Sequence, residues 1–311
     1  MPGLRRAAID IGTNSVKLLV AEVNGDTVRP LLERSEQTRL GRGFYETHRL
    51  QPDAIRQTAQ VAAEFAVAAA EWKPDSTCVI ATSAARDALN PSDLLEAVRC
   101  ATGLTVLIIS GEEEADWVFR GVITDPALAH HPVLIVDVGG GSSEFILGTK
   151  SVQYSRHSFR LGTVRLLEHL QPADPPTAGD WGKCEAFLGR FLDKQIRPLL
   201  APALRARSGE QVQLVATGGT STILAGIQLA LRDFDRDRLD GAGLTREQVR
   251  QHRAHLWSLP LSERKKIIGL PAKRADVILM GSAIFEAVME HLDFSRLRVS
   301  TRGLRYAAVM Q

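Results

Sequence analysis

Residues 8–20 read AIDIGTNSVKLLV and residues 135–147 read IVDVGGGSSEFIL. Superposed at an offset of 127, they align Asp10 with Asp137, Gly12 with Gly139 and Ser15 with Ser142. Each copy is an apolar run ending in Asp, a Gly-containing turn, a hydroxyl residue and a second apolar run. That is the pattern of a β-hairpin whose loop carries polar groups. A match of so few residues arises by chance in long chains, but the shared strand–turn–strand context favours a duplication. Two similar domains facing each other are therefore expected, and 311 residues, at roughly 100 to 200 per domain, suit two.

The flanking sequence extends the reading. TVRPLLERSEQTRL supplies a third strand, and Pro52 to Trp72 has helical periodicity, with Pro52 at its start and Pro74 beyond its end. CVIATSA reads as a strand, SDLLEAVRCATG as a helix closed by Gly103, and LTVLIIS as a strand. Strands that first meander and then alternate with helices predict a mixed sheet with helices packed on it. TDPALAHHP, residues 124–132, reads as the linker into the second copy, and QPADPPTAGD, residues 171–180, as a surface loop within it. After the strand QLVAT comes Gly218-Gly219-Thr220 and then a helix, STILAGIQLAL. Such a turn leaves the N–H groups of the helix start free for an anion.

Composition excludes several classes. Lys plus Arg (38) against Asp plus Glu (36) leaves a net charge of +2, too balanced to grip duplex nucleic acid by overall field. Any anion site must be local. The cysteines, Cys78, Cys100 and Cys184, are odd in number and far apart, which indicates neither a disulfide framework nor a zinc site and fits a reducing cytoplasm. Asp10 interrupts the first apolar stretch, so no signal-peptide core is expected, and no run of about 18 uncharged apolar residues suggests a membrane span. Neither G-x-x-x-x-G-K-[ST] nor H-E-x-x-H occurs. His130, His131, His252 and His255 read as solvated.

Glycines in the loops admit a phosphate close to the backbone, and their N–H groups form a concave nest, helped by the hydroxyls of Ser15, Ser142, Ser143 and Thr220. Asp10, Asp137 and Glu144 would repel a bare phosphate. Carboxylates beside phosphate loops make sense when a hard cation such as magnesium bridges the two, so a metal–phosphate cleft between two lobes is expected. The simpler reading, that the Asp side chains only hydrogen-bond their own turns, does not explain why both copies place Asp at the same point.

Between the copies lies ISGEEEADWVFRGV. Ser110 is a good N-cap, and Glu113 completes a capping box, which gives Glu113 a structural task. Ala115, Val118, Phe119 and Val122 form the apolar face, and at about 100° per residue Glu113 lies almost opposite it. Glu112 and Glu114 flank Glu113. Either can serve as a general base toward water, and helical arithmetic does not choose between them. Arg86, just after a strand, offers a planar fork suited to phosphate. Arg264, Lys265, Lys266, Lys273 and Arg274 form a basic cluster that reads as a solvated face or as a guide for a polyanion.

In order along the chain, IDIGTNSVKLLV, ATSAARDALN, ISGEEEA, IVDVGGGSSE, the GGT turn, KRADVILMG and VSTRGLR resemble the exopolyphosphatase and guanosine pentaphosphate phosphohydrolase family, in its short two-domain form. The resemblance implies an α/β fold of two actin-like (ribonuclease H-like) domains with a cleft between them. They would span residues 1–125 and 126–311, with a C-terminal helix, about 302–311, packing back on the first. It implies Glu114 as the base, Asp10, Asp137 and Glu144 in the metal and water network, and magnesium or manganese as the metal. Asn14, Ser15, Lys17, Gly139, Gly140, Gly141, Ser142, Ser143, Gly218, Gly219 and Thr220 would bind phosphate, and Arg86 the substrate chain. Ser143 stands where Thr is commoner, and Tyr306 where the family usually has an acid.

The expected activity is release of terminal orthophosphate from inorganic polyphosphate by a cytoplasmic homodimer, with no nucleic-acid or membrane partner. Hydrolysis of guanosine pentaphosphate is the nearest alternative. A kinase needing a co-substrate, and a polyphosphate or nucleotide sensor without turnover, are the more distant ones.

Overall fold

The computed structural model describes residues 3–128, 131–207 and 209–311. His130 lies outside them. The chain forms two compact units: residues 1–124, 140–142 and 302–311 make the first, and residues 125–139 and 143–301 the second.

The first unit opens with β1 (Leu4–Ile11), β2 (Ser15–Asn24) and β3 (Thr27–Gln37), an antiparallel meander joined by short turns. The short helix α1 (Phe44–Thr47) precedes α2 (Pro52–Ala70), which starts with Pro in its first turn, where the missing N–H costs nothing. α2 carries the chain back to β4 (Ser76–Ala81), parallel to β1, because a parallel partner needs a long crossover. After α3 (Ser83–Asp87), helix α4 (Pro91–Thr102) ends at Gly103, whose φ of 72° closes it, and β5 (Val106–Ile108) adds the last strand. β5 is shorter than its apolar run because only three residues find partners on β4.

The sheet order is β3-β2-β1-β4-β5. Ile9, Ile11, Val16, Leu18 and Val79 enter the core with α2 and α4. By the two-residue period of a strand, Asp10 and Lys17 point to the other face. That face carries the C-terminal helix Leu304–Ala308, which packs against β1 and β2 and against α5 (Gly111–Val122).

The second unit repeats the plan. β6 (Val133–Val138), β7 (Ser143–Thr149) and β8 (Val152–Phe159) form a meander, followed by α6 (Thr163–Leu170), α7 (Ala178–Phe191) and α8 (Arg197–Arg205). The predicted loop 171–180 ends early: Thr177 and Asp180 make a capping box that starts α7 at Ala178. Then come β9 (Gln213–Thr217), α9 (Gly218–Gln228), α10 (Arg236–Leu239), β10 (Gly243–Thr245), α11 (Arg246–Ser258), α12 (Leu261–Arg264), α13 (Ile278–His291) and β11 (Arg296–Val299).

The order β10-β11-β9-β6-β7-β8 is the first sheet with one antiparallel edge strand added. The likeness extends to register. Asp10 pairs with Lys17, and Asp137 with Glu144, both separated by the 127-residue offset. The second strand of each meander shifts register at the same place, Val20/Ala21 and Leu147/Gly148. The architecture is α/β, two actin-like units of mixed sheet with helices.

Candidate active site

In the first unit, the start of α5 is fixed by its own sequence. Ser110 N donates to Glu113 Oε2 at 2.8 Å, and Glu113 N donates to Ser110 Oγ at 3.1 Å. The cap commits Glu113 and turns Glu114 by one residue toward the packed face. Glu112 and Glu113 are exposed, whereas Glu114 is 8% exposed. Structure thus separates the three acids that helical arithmetic left together.

Arg86, on the short helix that follows β4, donates through Nη1 to Glu114 Oε2 at 2.9 Å and to the Ile109 carbonyl at 3.0 Å. The guanidinium, expected on the substrate chain, here also orients the candidate base. A buried carboxylate needs such a partner.

The first hairpin turn is closed by Gly12 N donating to Ser15 O, and is wrapped by the segment 38–41, in which the N–H groups of Thr38 and Arg39 donate to the Asn14 carbonyl and that of Gly41 to the Thr13 carbonyl. Asn14 is buried. Its Oδ1 accepts from Gln37 Nε2 at 3.0 Å, and its Nδ2 has no hydrogen-bond partner among the described residues. An amide held by one end with its donor end unspent fits an anion's oxygen.

Residues Gly140–Ser142 group with this unit. A Cβ at Gly140 would lie 3.0 Å from Thr13 Cβ and 3.3 Å from Asn14 Cβ, so within this unit Gly140 packs directly on the Thr13-Asn14 turn. Asp10 is buried, and burial raises its pKa above the ordinary 3.8 against the opposing pull of Lys17 and Arg305. Arg305, from the C-terminal helix, also donates to the Leu18 carbonyl at 2.7 Å. Tyr306, where an acid was expected, is 2% exposed and packs in the core with Arg302 over its ring.

In the second unit, Asp137 is the next-to-last residue of β6 and stands opposite Glu144 on β7. Directly paired residues share a face. The first copy has Asp and Lys at these two positions; the second has two acids. Ser158 donates to Glu144 Oε1 at 2.7 Å and fixes one oxygen. Among the described residues no group of three or more His, Cys, Asp or Glu side chains is placed to hold a metal ion. Magnesium, however, is commonly bound by about one or two carboxylates with substrate phosphates and water completing the shell. The paired Asp137 and Glu144 fit that donor set. At Asp10, Lys17 and Arg305 favour the charged carboxylate without overcoming the effect of its burial.

Ser143 is fully buried and donates its hydroxyl to the Leu161 carbonyl at 2.5 Å, which ties the end of the loop to the chain beyond β8. Gly218 has φ +88°, and a side chain there would run into Asp137 Oδ1. It opens α9, with Gly219 and Thr220 in the first turn and no side-chain cap from Thr217. Thr220 is buried against Gly281 of α13.

The basic cluster divides. Arg264 is buried and bonded to the Leu259 carbonyl and Asp174, and Lys266 pairs with Glu263 on the surface. Arg274 sets its guanidinium about 4 Å from the Cβ position of Gly219, so the spacing in sequence did not reveal one common face. His252 is partly buried and bonded to Gln228, against the solvated position expected of it, while His255 is exposed. Among the described residues no helix is long and apolar enough to cross a membrane.

Paired hairpins with Asp-Gly turns on an actin-like frame, with a buried, Arg-oriented carboxylate on the connecting helix, define a class of proteins that handle phosphoryl groups. The match to known proteins is more specific. The Ppx/GppA phosphatase family model matches residues 19–310, and the chain belongs to that family. Exopolyphosphatase 2 of Mycobacterium tuberculosis is 33% identical over 305 residues, covering 93% of this chain and 91% of that protein. The crystal structure of the Aquifex aeolicus Ppx/GppA family member matches with TM-score 0.79 at 32% identity, over 99% of this chain and 96% of that one. An exopolyphosphatase from Cytophaga hutchinsonii gives TM-score 0.85 at 26% identity, over 98% and 96%.

Proposed function

We propose that this protein is a metal-dependent exopolyphosphatase that releases terminal orthophosphate from inorganic polyphosphate. The observation that carries the proposal is Glu114: a buried carboxylate, held by Arg86 at 2.9 Å, on a helix whose cap determines which of three adjacent acids turns inward. Relatives named exopolyphosphatase, spanning nearly the whole chain, support the reading.

Glu114 takes a proton from water as the water oxygen attacks the terminal phosphorus, and the bond from that phosphorus to the bridging oxygen breaks. The products are orthophosphate and a chain one residue shorter, and the bridging oxygen departs with the electron pair. Arg86 holds Glu114 in place and meets negative charge on the chain. Asn14, with the N–H groups of the Gly140–Ser142 turn, supplies donors for phosphoryl oxygens. Asp137 and Glu144 would hold a divalent cation, which supplies charge neutralisation for phosphoryl transfer when bound.

The experiment is phosphate release from polyphosphate of several lengths and from guanosine pentaphosphate, side by side, with magnesium and manganese varied. Faster release from polyphosphate supports the proposal. Faster release from the nucleotide replaces the substrate but keeps the chemistry. Binding without release from either, with metal present, rejects the enzyme reading.

A further inference from the structure

Three side-chain hydroxyls converge on Gly141. A Cβ built there would lie 2.5 Å from Ser83 Oγ, 2.5 Å from the Tyr45 hydroxyl and 2.7 Å from Thr13 Oγ1. Only glycine fits against all three hydroxyls. Thr13 is 3% exposed and Ser83 is 2% exposed, yet neither hydroxyl has a hydrogen-bond partner among the described residues. Three separate stretches of chain supply them: the first hairpin turn, the start of α3, and α1. Tyr45 is set by its surroundings, since α1 is bounded by left-handed Gly43 and His48, and its ring packs edge-on at 5.1 Å against the fully buried Phe44.

Leaving a buried hydroxyl unbonded weakens a fold, and an apolar residue of similar shape avoids the loss. Thr13 and Ser83 therefore carry a cost that packing does not explain. Each is an O–H donor, and all three approach the same glycine. The ligand that satisfies such a group has several acceptor oxygens and no donor of its own.

We propose that Thr13, Ser83 and Tyr45 form a hydroxyl subsite for an oxygen of a bound phosphoryl group beside Gly141, which makes Ser83 and Tyr45 substrate-binding residues. The phosphohydrolase reading supplies the identity of the substrate; anion binding at this point does not require turnover.

The test measures equilibrium binding of orthophosphate and of tripolyphosphate, without metal, to the full chain and to Tyr45→Phe, Ser83→Ala and Thr13→Val, by calorimetry, with melting temperatures alongside. Each substitution removes a hydroxyl and keeps most of the shape. Loss of one hydrogen bond predicts affinity about fivefold to tenfold weaker for each variant. Thr13→Val and Ser83→Ala are predicted to melt no lower than the unaltered chain. A structural role predicts the reverse pairing, lower melting temperature with unchanged affinity. That outcome, loss of folding in any of the three, or no anion binding by the unaltered chain overturns the subsite. Anion binding that depends on the hydroxyls, without phosphate release from polyphosphate, rejects the proposed activity and retains the subsite.

Discussion

Replacing Gly121 by Ala tests whether the helix that carries Glu114 is held where the chemistry needs it. Gly121 lies on α5, seven residues beyond Glu114, and its Cα faces the backbone of Gly303 at the start of the C-terminal helix. A methyl there would overlap the Gly303 carbonyl oxygen and lie 2.7 Å from the carbonyl carbon and 3.2 Å from Cα, against 3.4–4 Å for ordinary contact. The obstacle is backbone, so the helix must move by the better part of an ångström. Overpacking of this kind costs about 1–3 kcal/mol, offset by the roughly 1 kcal/mol by which Ala favours a helix over Gly. The net expectation is a loss of up to about 2 kcal/mol in urea unfolding. Misplacement of a reacting group by about 1 Å can cost on the order of 100-fold in rate, so phosphate release should fall roughly tenfold to 100-fold. Gly182, inside α7, has nothing within 4 Å of its Cβ position. There the same change should stabilise by about 0.4–1 kcal/mol and leave turnover alone. If Gly121→Ala behaves like Gly182→Ala in both assays, the brace does not position Glu114.

Three further outcomes are expected. Burial raises the Asp10 pKa above 3.8, so the unfolded chain ionises more readily than the folded one and this group's contribution to stability falls as pH rises from that value through the folded pKa. Asp10→Asn should therefore melt higher than the unaltered chain at neutral pH, with the gain vanishing near and below pH 3.8. A lower melting temperature at neutral pH would contradict the sign. Gly218→Ala forces a side chain into left-handed backbone and against Asp137, and should raise the divalent-cation concentration for half-maximal turnover about tenfold, on the scale of other disturbed metal-supporting groups. An unchanged metal titration would detach Asp137 from metal binding. Glu286 is 3% exposed and paired with Arg253, whose guanidinium lies 3.8 Å over the Trp181 ring. Glu286→Ala should cost about 3–5 kcal/mol in urea unfolding, whereas replacing both partners by apolar residues should cost much less. Equal losses would argue against an uncompensated charge.

The duplication was legible because a hairpin is a local structure. Asp10, Gly12 and Ser15 recur as Asp137, Gly139 and Ser142, and the structure returns the same register and the same irregularity after Val20 and Leu147. The cap of α5 was equally local: Ser110 and Glu113 stand three residues apart, and their bonds follow from spacing alone. Contacts across the sheet were not legible in this way. Arg86 meets Glu114 because α3 follows β4 and α5 follows β5, strands that adjoin only after folding. Nothing near Tyr45 marks it in sequence, since its hydroxyl approaches Gly141 from 96 positions away. The bond from the Ser143 hydroxyl to the Leu161 carbonyl was equally hidden, because it joins residues 18 positions apart through strand pairing. The basic run 264–274 does not share one face, because helix and turn geometry send Arg264 inward and Arg274 to the GGT turn.

The account rests on Glu114, and its most direct measurement is the Glu114→Gln variant assayed for polyphosphate binding and phosphate release together. Gln keeps the shape and can still accept a hydrogen bond from Arg86, but it does not take a proton from water. The prediction is affinity within a few-fold of the unaltered chain and turnover lower by about 100-fold to 10,000-fold, the range a positioned general base contributes. Turnover close to normal would contradict the account.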